Sequence, residues 1–165
     1  MDQEKAEQFL EELAAGIKPF DKERISVLFR DFAVGAISGA KRYPSLSQIK
    51  PNTHTIAIGL GLCTSAGDLD DVDWTVLTHP GSIIWPVAVA LGIENKLSIS
   101  QIFEAAAFGY QAGASFANMM GPTHRAKQHL TATSGAFAAT AAATAALGLN
   151  KKEKIKAFKL TAANI

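Results

Sequence analysis

The sequence predicts an all-α domain of about six to seven helices, on three observations. No run alternates apolar and polar residues for long, and β-branched residues are mixed with alanine throughout. Several segments instead repeat apolar residues at the i, i+3, i+4, i+7 spacing of a helix with one buried face. Helix starts and stops are also visible, as in Ser98-Ile99-Ser100-Gln101, which has the form of a capping box. At 165 residues the chain predicts a single domain, 1–165, long enough to bury a real core.

Asp2 to Ile17 is predicted as the first helix, with Ala6, Phe9, Leu10, Leu13, Ala14 and Ile17 on one stripe. Gly16 and Pro19 end it. Asp21 is placed to cap a second helix that carries Ile25, Leu28, Phe29, Phe32, Ala36 and Ile37. Gly35 and Gly39 each weaken that helix by about 1 kcal/mol relative to alanine, which is tolerable where another backbone packs against them. Ser38 to Asn52 reads as a loop, because Tyr43 and Lys50 precede prolines. Thr53 to Cys63 predicts a buried helix.

The acidic stretch from Gly67 to Gly81 follows, with four of the fifteen acidic residues in six positions. Pro80 or Gly81 opens an apolar helix, Ser82 to Ile93, in which Pro86 suits only a first turn. The Ser98 helix runs to about Met120, where Gly121-Pro122 stops it. Thr123 to Gln128 is a short basic loop. An Ala/Thr-rich helix spans about Leu130 to Leu147, with Gly148 as its cap. Asn150 caps a last helix, Lys151 to Ile165.

Composition excludes several classes. Sixteen basic and fifteen acidic residues leave no excess of cations for a nucleic-acid footprint. The one cysteine, Cys63, rules out an internal disulfide framework and fits a reducing, cytoplasmic setting. It lies in an apolar run with no neighbouring base, so it is read as packing. The N-terminus lacks the basic and apolar regions of a signal peptide. Thr131 to Leu149 carries no charge, but Ala, Thr, Ser and Gly dominate it, so it is read as a helix that packs closely in water rather than a membrane span.

Chemistry concentrates at the acidic stretch and two histidines. The carboxylates of the stretch can be loop and cap groups, or can hold a hard cation. The Asp-x-Asp-x-Asp-Gly pattern of a calcium loop is absent, and a diphosphate-binding Asp-Asp-x-x-Asp fails at Trp74, so no metal is expected. Of His54, His79, His124 and His129, two stand where helices start: His79 beside Pro80-Gly81, and His129 before Leu130. Helix N-termini attract anions, and histidine moves protons near neutral pH.

Five segments in order resemble the MmgE/PrpD family, which includes 2-methylcitrate dehydratase, cis-aconitate decarboxylase and iminodisuccinate epimerase. They are Arg30 to Gly39, Asp68-Leu69-Asp70-Asp71 with His79-Pro80-Gly81, Phe108-Gly109-Tyr110-Gln111, His129 to Phe137, and Leu147-Gly148-Leu149. The resemblance implies the family's helical domain and no cofactor. It implies lyase or isomerase chemistry on a small carboxylic acid: proton removal, then loss of water or CO₂, or reprotonation. By the same carry-over Asp68, His79 and His129 are the catalytic residues. Arg125, Lys127 and Thr131 are expected to bind substrate.

The chain departs from the family pattern at several points. Thr64 and Ser65 stand where a histidine is common, and Gln111 where glutamate is common. Ser115 stands where an arginine often follows. The spacing from Asp68 to His79 is about one residue longer, and the stretch from Gly39 to Thr53 is shorter. Family members also continue into a lid domain, which this sequence does not reach by Ile165. The expected partners are therefore a small-molecule substrate and either a second copy or a lid-like subunit, with no nucleic acid and no membrane. A non-catalytic interaction protein that keeps the fold is the alternative.

Overall fold

The computed structural model describes residues 3–165; Met1 and the predicted helical start at Asp2 lie outside the described residues. Seven α-helices follow in order: α1 (Gln3–Ala14), α2 (Lys22–Ala40), α3 (Thr53–Ser65), α4 (Gly81–Glu94), α5 (Ile99–Arg125), α6 (Leu130–Ala146) and α7 (Lys151–Ala162). A 3-10 turn, Pro44–Gln48, lies between α2 and α3. Among the described residues there is no strand, only one isolated bridge between Asp73 and Thr78. No helix of the described residues is long and apolar enough to cross a membrane.

The caps read in the sequence form as hydrogen bonds. Asp21 Oδ1 accepts from the backbone of Glu23 and Arg24 at the start of α2. Ser98 and Gln101 close a reciprocal box at α5, and Asn150 with Glu153 does the same at α7. At the end of α6, Leu149 N–H donates to Thr144 and Gly148 N–H to Ala145, with Gly148 at φ 63°. That paired closure needs a residue tolerant of positive φ.

Small residues set how closely the helices approach. A Cβ on Gly39 would overlap the Cys63 carbonyl, so α2 crosses α3 backbone to backbone. A Cβ on Gly113 would lie 2.9 Å from that of Ala138, where α5 and α6 run together. Around this frame Trp85, fully buried on α4, meets Phe29, Phe32 and Phe103. A second core holds Phe108, Phe116, Phe137 and Phe158, with Phe9 of α1 edge-on to Phe116. Burying a side chain such as Phe158 contributes about 1.5–3 kcal/mol, and this one docks α7.

Several boundaries differ from the sequence reading. α1 stops at Ala14, and α7 at Ala162. α2 passes through Ser38-Gly39 to Ala40, because the Cys63 carbonyl accommodates the glycine. α3 is not buried throughout: only Cys63 and Thr64 are, while Ile58 is 62 % exposed. Pro86 lies inside α4 rather than in its first turn. It cannot donate to Ser82, whose carbonyl faces the close approach of Gly61. Gly121, at φ 69° and ψ −175°, breaks α5 where predicted, and the following basic segment includes a helical turn to Arg125.

Candidate functional site

The site is built on the connection between α3 and α4. Asp68 takes the left-handed conformation, φ 53°, which aspartate tolerates better than most residues. Asp73 then organises the return of the chain. Its Oδ1 accepts from Thr75 N–H at 2.9 Å and the Thr75 hydroxyl at 2.6 Å, and its backbone N–H donates to Thr78. The loop tip passes through Leu77 at φ 55°. The result is a tight lobe that carries His79 back toward Asp70.

His79 is held on its backbone. Its N–H donates to Thr131 Oγ1 at 3.1 Å, and its carbonyl accepts from the Ser82 hydroxyl. Its side chain is about one-third exposed, and Nδ1 lies 3.5 Å from Asp70 Oδ1. Asp70 is buried to 3 % exposure, and its Oδ2 has no hydrogen-bond partner among the described residues. Asp68 completes the group: one ligand-type atom each from Asp68, Asp70 and His79 lies within 4.8 Å of the others.

Asp71 points into the fold instead. Its Oδ1 accepts from Gly81 N–H at 2.6 Å, in the first turn of α4. Its Oδ2 accepts from the Tyr110 hydroxyl at 2.7 Å, and Tyr110 in turn accepts from Trp85 Nε1. Burial raises the Asp71 carboxyl above its ordinary value, although the Tyr110 and Gly81 bonds act in the other direction. Burial and the neighbouring Asp71 charge push the Tyr110 hydroxyl well above the usual phenol range.

Two hollows flank the lobe. His79, Thr131 and Ser134 line a tight recess beneath it. A wider cleft of about 560 Å³ lies between the start of α2, the loop and the middle of α5. Arg24, Asp73, Trp74 and Gln111 line it, and it shares Asp73, Pro80 and Tyr110 with the recess.

The family described as MmgE/PrpD N-terminal domain matches residues 4–164. The chain belongs to this family. Comparison with curated proteins and with solved structures gives no match.

In this MmgE/PrpD domain the six residues singled out from the sequence divide. Asp68 and His79 come together, and Thr131 meets His79 through its backbone. His129 sits at the N-cap of α6, exposed, with no capping bond from its side chain, and it is not in the Asp68–Asp70–His79 group. Arg125 lines a separate hollow with Thr75, Asn118 and Leu130. Lys127 is exposed. His124 bonds Thr133 at 3.0 Å rather than facing the lobe.

Two acidic residues, read from the sequence as loop or cap groups, make contacts beyond that role. Asp70 is buried beside His79 and caps nothing. Asp71 does cap α4, but it also anchors Tyr110. Tyr110 was in view only as part of the Phe108–Gln111 segment. Nothing in linear spacing marks a bond across 39 positions. Cys63 is buried and its thiol raised by burial, consistent with packing.

Proposed function

We propose that this MmgE/PrpD domain takes part in proton transfer and elimination on a small carboxylic acid, as a lyase- or isomerase-type enzyme or enzyme subunit without an organic cofactor. The observation that carries the reading is the pairing of a part-exposed histidine with a buried carboxylate. Asp70 lies on the Nδ1 side of His79, which favours the proton there and leaves Nε2 as the base. Asp68 shares the cluster, exposed at its edge, where it steers the ring or accepts the proton.

Thr131 links this pair to the first turn of α6. The unpaired N–H groups there favour an anion, so a substrate carboxylate has a seat beside His79. The outlying Arg125 and Lys127 add positive charge along its approach, and His129 stands at the same N-cap. The apolar side chains exposed on α2 and α3, among them Val34, Ile37 and Ile58, support association with a second copy or with a lid-like subunit. The same surface favours the second reading, a partner subunit without catalysis of its own.

The test is solvent exchange. Small di- and tricarboxylates are incubated with the protein in D₂O and followed by proton NMR. Loss of signal next to a carboxylate, abolished in His79→Ala, is the expected result. Exchange that survives His79→Ala sinks the assignment of the base, and no exchange with any acid favours the partner reading.

A further inference from the structure

We infer that Asp68, Asp70 and His79 form a binding site for a divalent first-row transition cation. The inference does not rest on the proton-transfer reading. Proximity of acidic groups alone would carry nothing, since such clusters are common on surfaces without an ion. Asp70 is what distinguishes this one. Its side chain is 3 % exposed, its Oδ2 has no hydrogen-bond partner among the described residues, and its Oδ1 lies 3.5 Å from the His79 ring nitrogen. A buried carboxylate with neither a good hydrogen bond nor a full counter-charge is costly to keep. A cation bound between the Asp70 carboxylate and His79 Nδ1 supplies the missing counter-charge.

The spacing fits. Zinc bonds of 2.0–2.1 Å to nitrogen and oxygen put tetrahedral neighbours about 3.4 Å apart, and Asp70 Oδ1 and His79 Nδ1 stand 3.5 Å apart. Asp68 is exposed and within 4.8 Å, so a small side-chain movement closes the third bond. Two carboxylates and an imidazole, with no thiolate, suit Zn²⁺, Co²⁺ or Mn²⁺ better than Cu⁺. Two carboxylates are too few oxygens for a calcium cage. Three protein ligands leave a fourth position for water or a ligand carboxylate.

The support around the ligands is already built. Thr131 holds the His79 backbone, and the Asp73–Thr78 pairing fixes the lobe between the ligands. Ligands at 68, 70 and 79 match neither the calcium-loop nor the diphosphate-binding pattern, so the linear sequence gives no metal signal here. A cation on Nδ1 keeps the ring proton on Nε2. The cation-bound form then offers a donor where the free form offers a base, so proton and metal compete for one nitrogen.

The metal-stripped chain is titrated with Co²⁺ and followed by its visible ligand-field absorption, and with Zn²⁺ by calorimetry. One ion per chain is expected. Asp70→Asn and His79→Ala should each weaken binding about tenfold or more, while Asp73→Asn, which keeps the turn oxygen, binds as the parent does. Circular dichroism checks each fold; should Asp70→Asn not fold, His79→Ala at a part-exposed position carries the test. Absence of a one-to-one transition up to millimolar Co²⁺ overturns the inference. So does binding that His79→Ala leaves unchanged, which would put the ion on the other histidines.

Discussion

The Tyr110 hydroxyl donates a 2.7 Å hydrogen bond to Asp71 Oδ2, and so ties the middle of α5 to the loop that carries His79. Asp71 spends its other oxygen on the first turn of α4. One carboxylate thus joins three elements around the candidate site. A buried carboxylate with these two donors is a positioning device: it fixes where the loop ends and α4 begins.

The bond predicts a particular pH dependence. Burial raises the folded-state value of Asp71 above its ordinary 3.8, so the folded chain holds this proton more tightly than the unfolded chain. Between the ordinary value and the raised one, the folded state binds more protons. Stability from this group is therefore present at acid pH and is lost as pH rises through the raised value. Subtracting the Asp71→Asn stability curve from that of the parent, by urea unfolding in EDTA, should expose this fall. Tyr110→Phe removes a bond that holds the value down, and should move the fall to higher pH. It should also cost about 1–3 kcal/mol, since a buried acceptor loses its donor. An unmoved transition would mean that the phenol does not govern Asp71.

The helix crossing at Gly39 gives a stability test independent of any activity. Gly39→Ala drives a Cβ into the Cys63 carbonyl, which is backbone and cannot rotate away. The expected loss is about 1–3 kcal/mol or more, even though alanine is the better helix former. Gly59→Ala is the control on the partner helix. A Cβ there meets only the end of Leu46 at 3.8 Å. It should gain about 1 kcal/mol from helix propensity. Urea midpoints of opposite sign for the two variants are expected; a neutral Gly39→Ala would mean that α2 and α3 separate more easily than their geometry implies.

Local signals explain how far the sequence could be read. Caps act within three residues, so Asp21, Ser98 and Asn150 were legible. The stop at Gly121 was legible because a glycine before proline has few alternatives. The length of α2 was not, because the prolines after Tyr43 and Lys50 mark a loop without marking its first residue, and the Cys63 carbonyl that Gly39 accommodates is remote in sequence. The site divides in the same way. Asp68 came from family resemblance and His79 also from its place at a helix start, and their proximity depends on a lobe closed by Asp73. Asp70 and Asp71 are neighbours of one type, and only the alternation of the folded loop sends one toward His79 and the other toward Tyr110. No single-sequence pattern separates them.

His79 and His129 carry the same expectation from sequence but different surroundings. His79 lies against a buried carboxylate, while His129 is exposed at a helix cap with no side-chain capping bond. His129→Ala should change stability by no more than about 0.5 kcal/mol. In the solvent-exchange assay it should slow the reaction less than His79→Ala does, through loss of one polar contact at the α6 N-terminus. Equal losses in both variants would instead place His129 at the reacting atoms.

Thr131 offers the last test, of the coupling between the loop and α6. Its hydroxyl accepts the His79 N–H across 52 positions. Thr131→Val keeps the shape of the side chain and removes the acceptor. A part-buried N–H then stays unpaired, at a cost of about 1–3 kcal/mol, and the loop can avoid that cost by opening to water. The effect should therefore be local. Amide hydrogen exchange at His79 should accelerate, while protection of α5 and of the Phe116–Phe137 core stays as in the parent. If His79 positioning depends on this bond, exchange of the protons next to the substrate carboxylate should also fall in Thr131→Val with the imidazole itself intact. Unchanged amide exchange at His79 would show that the Asp73 lobe alone holds the histidine, and that α6 contributes only its N-terminal charge.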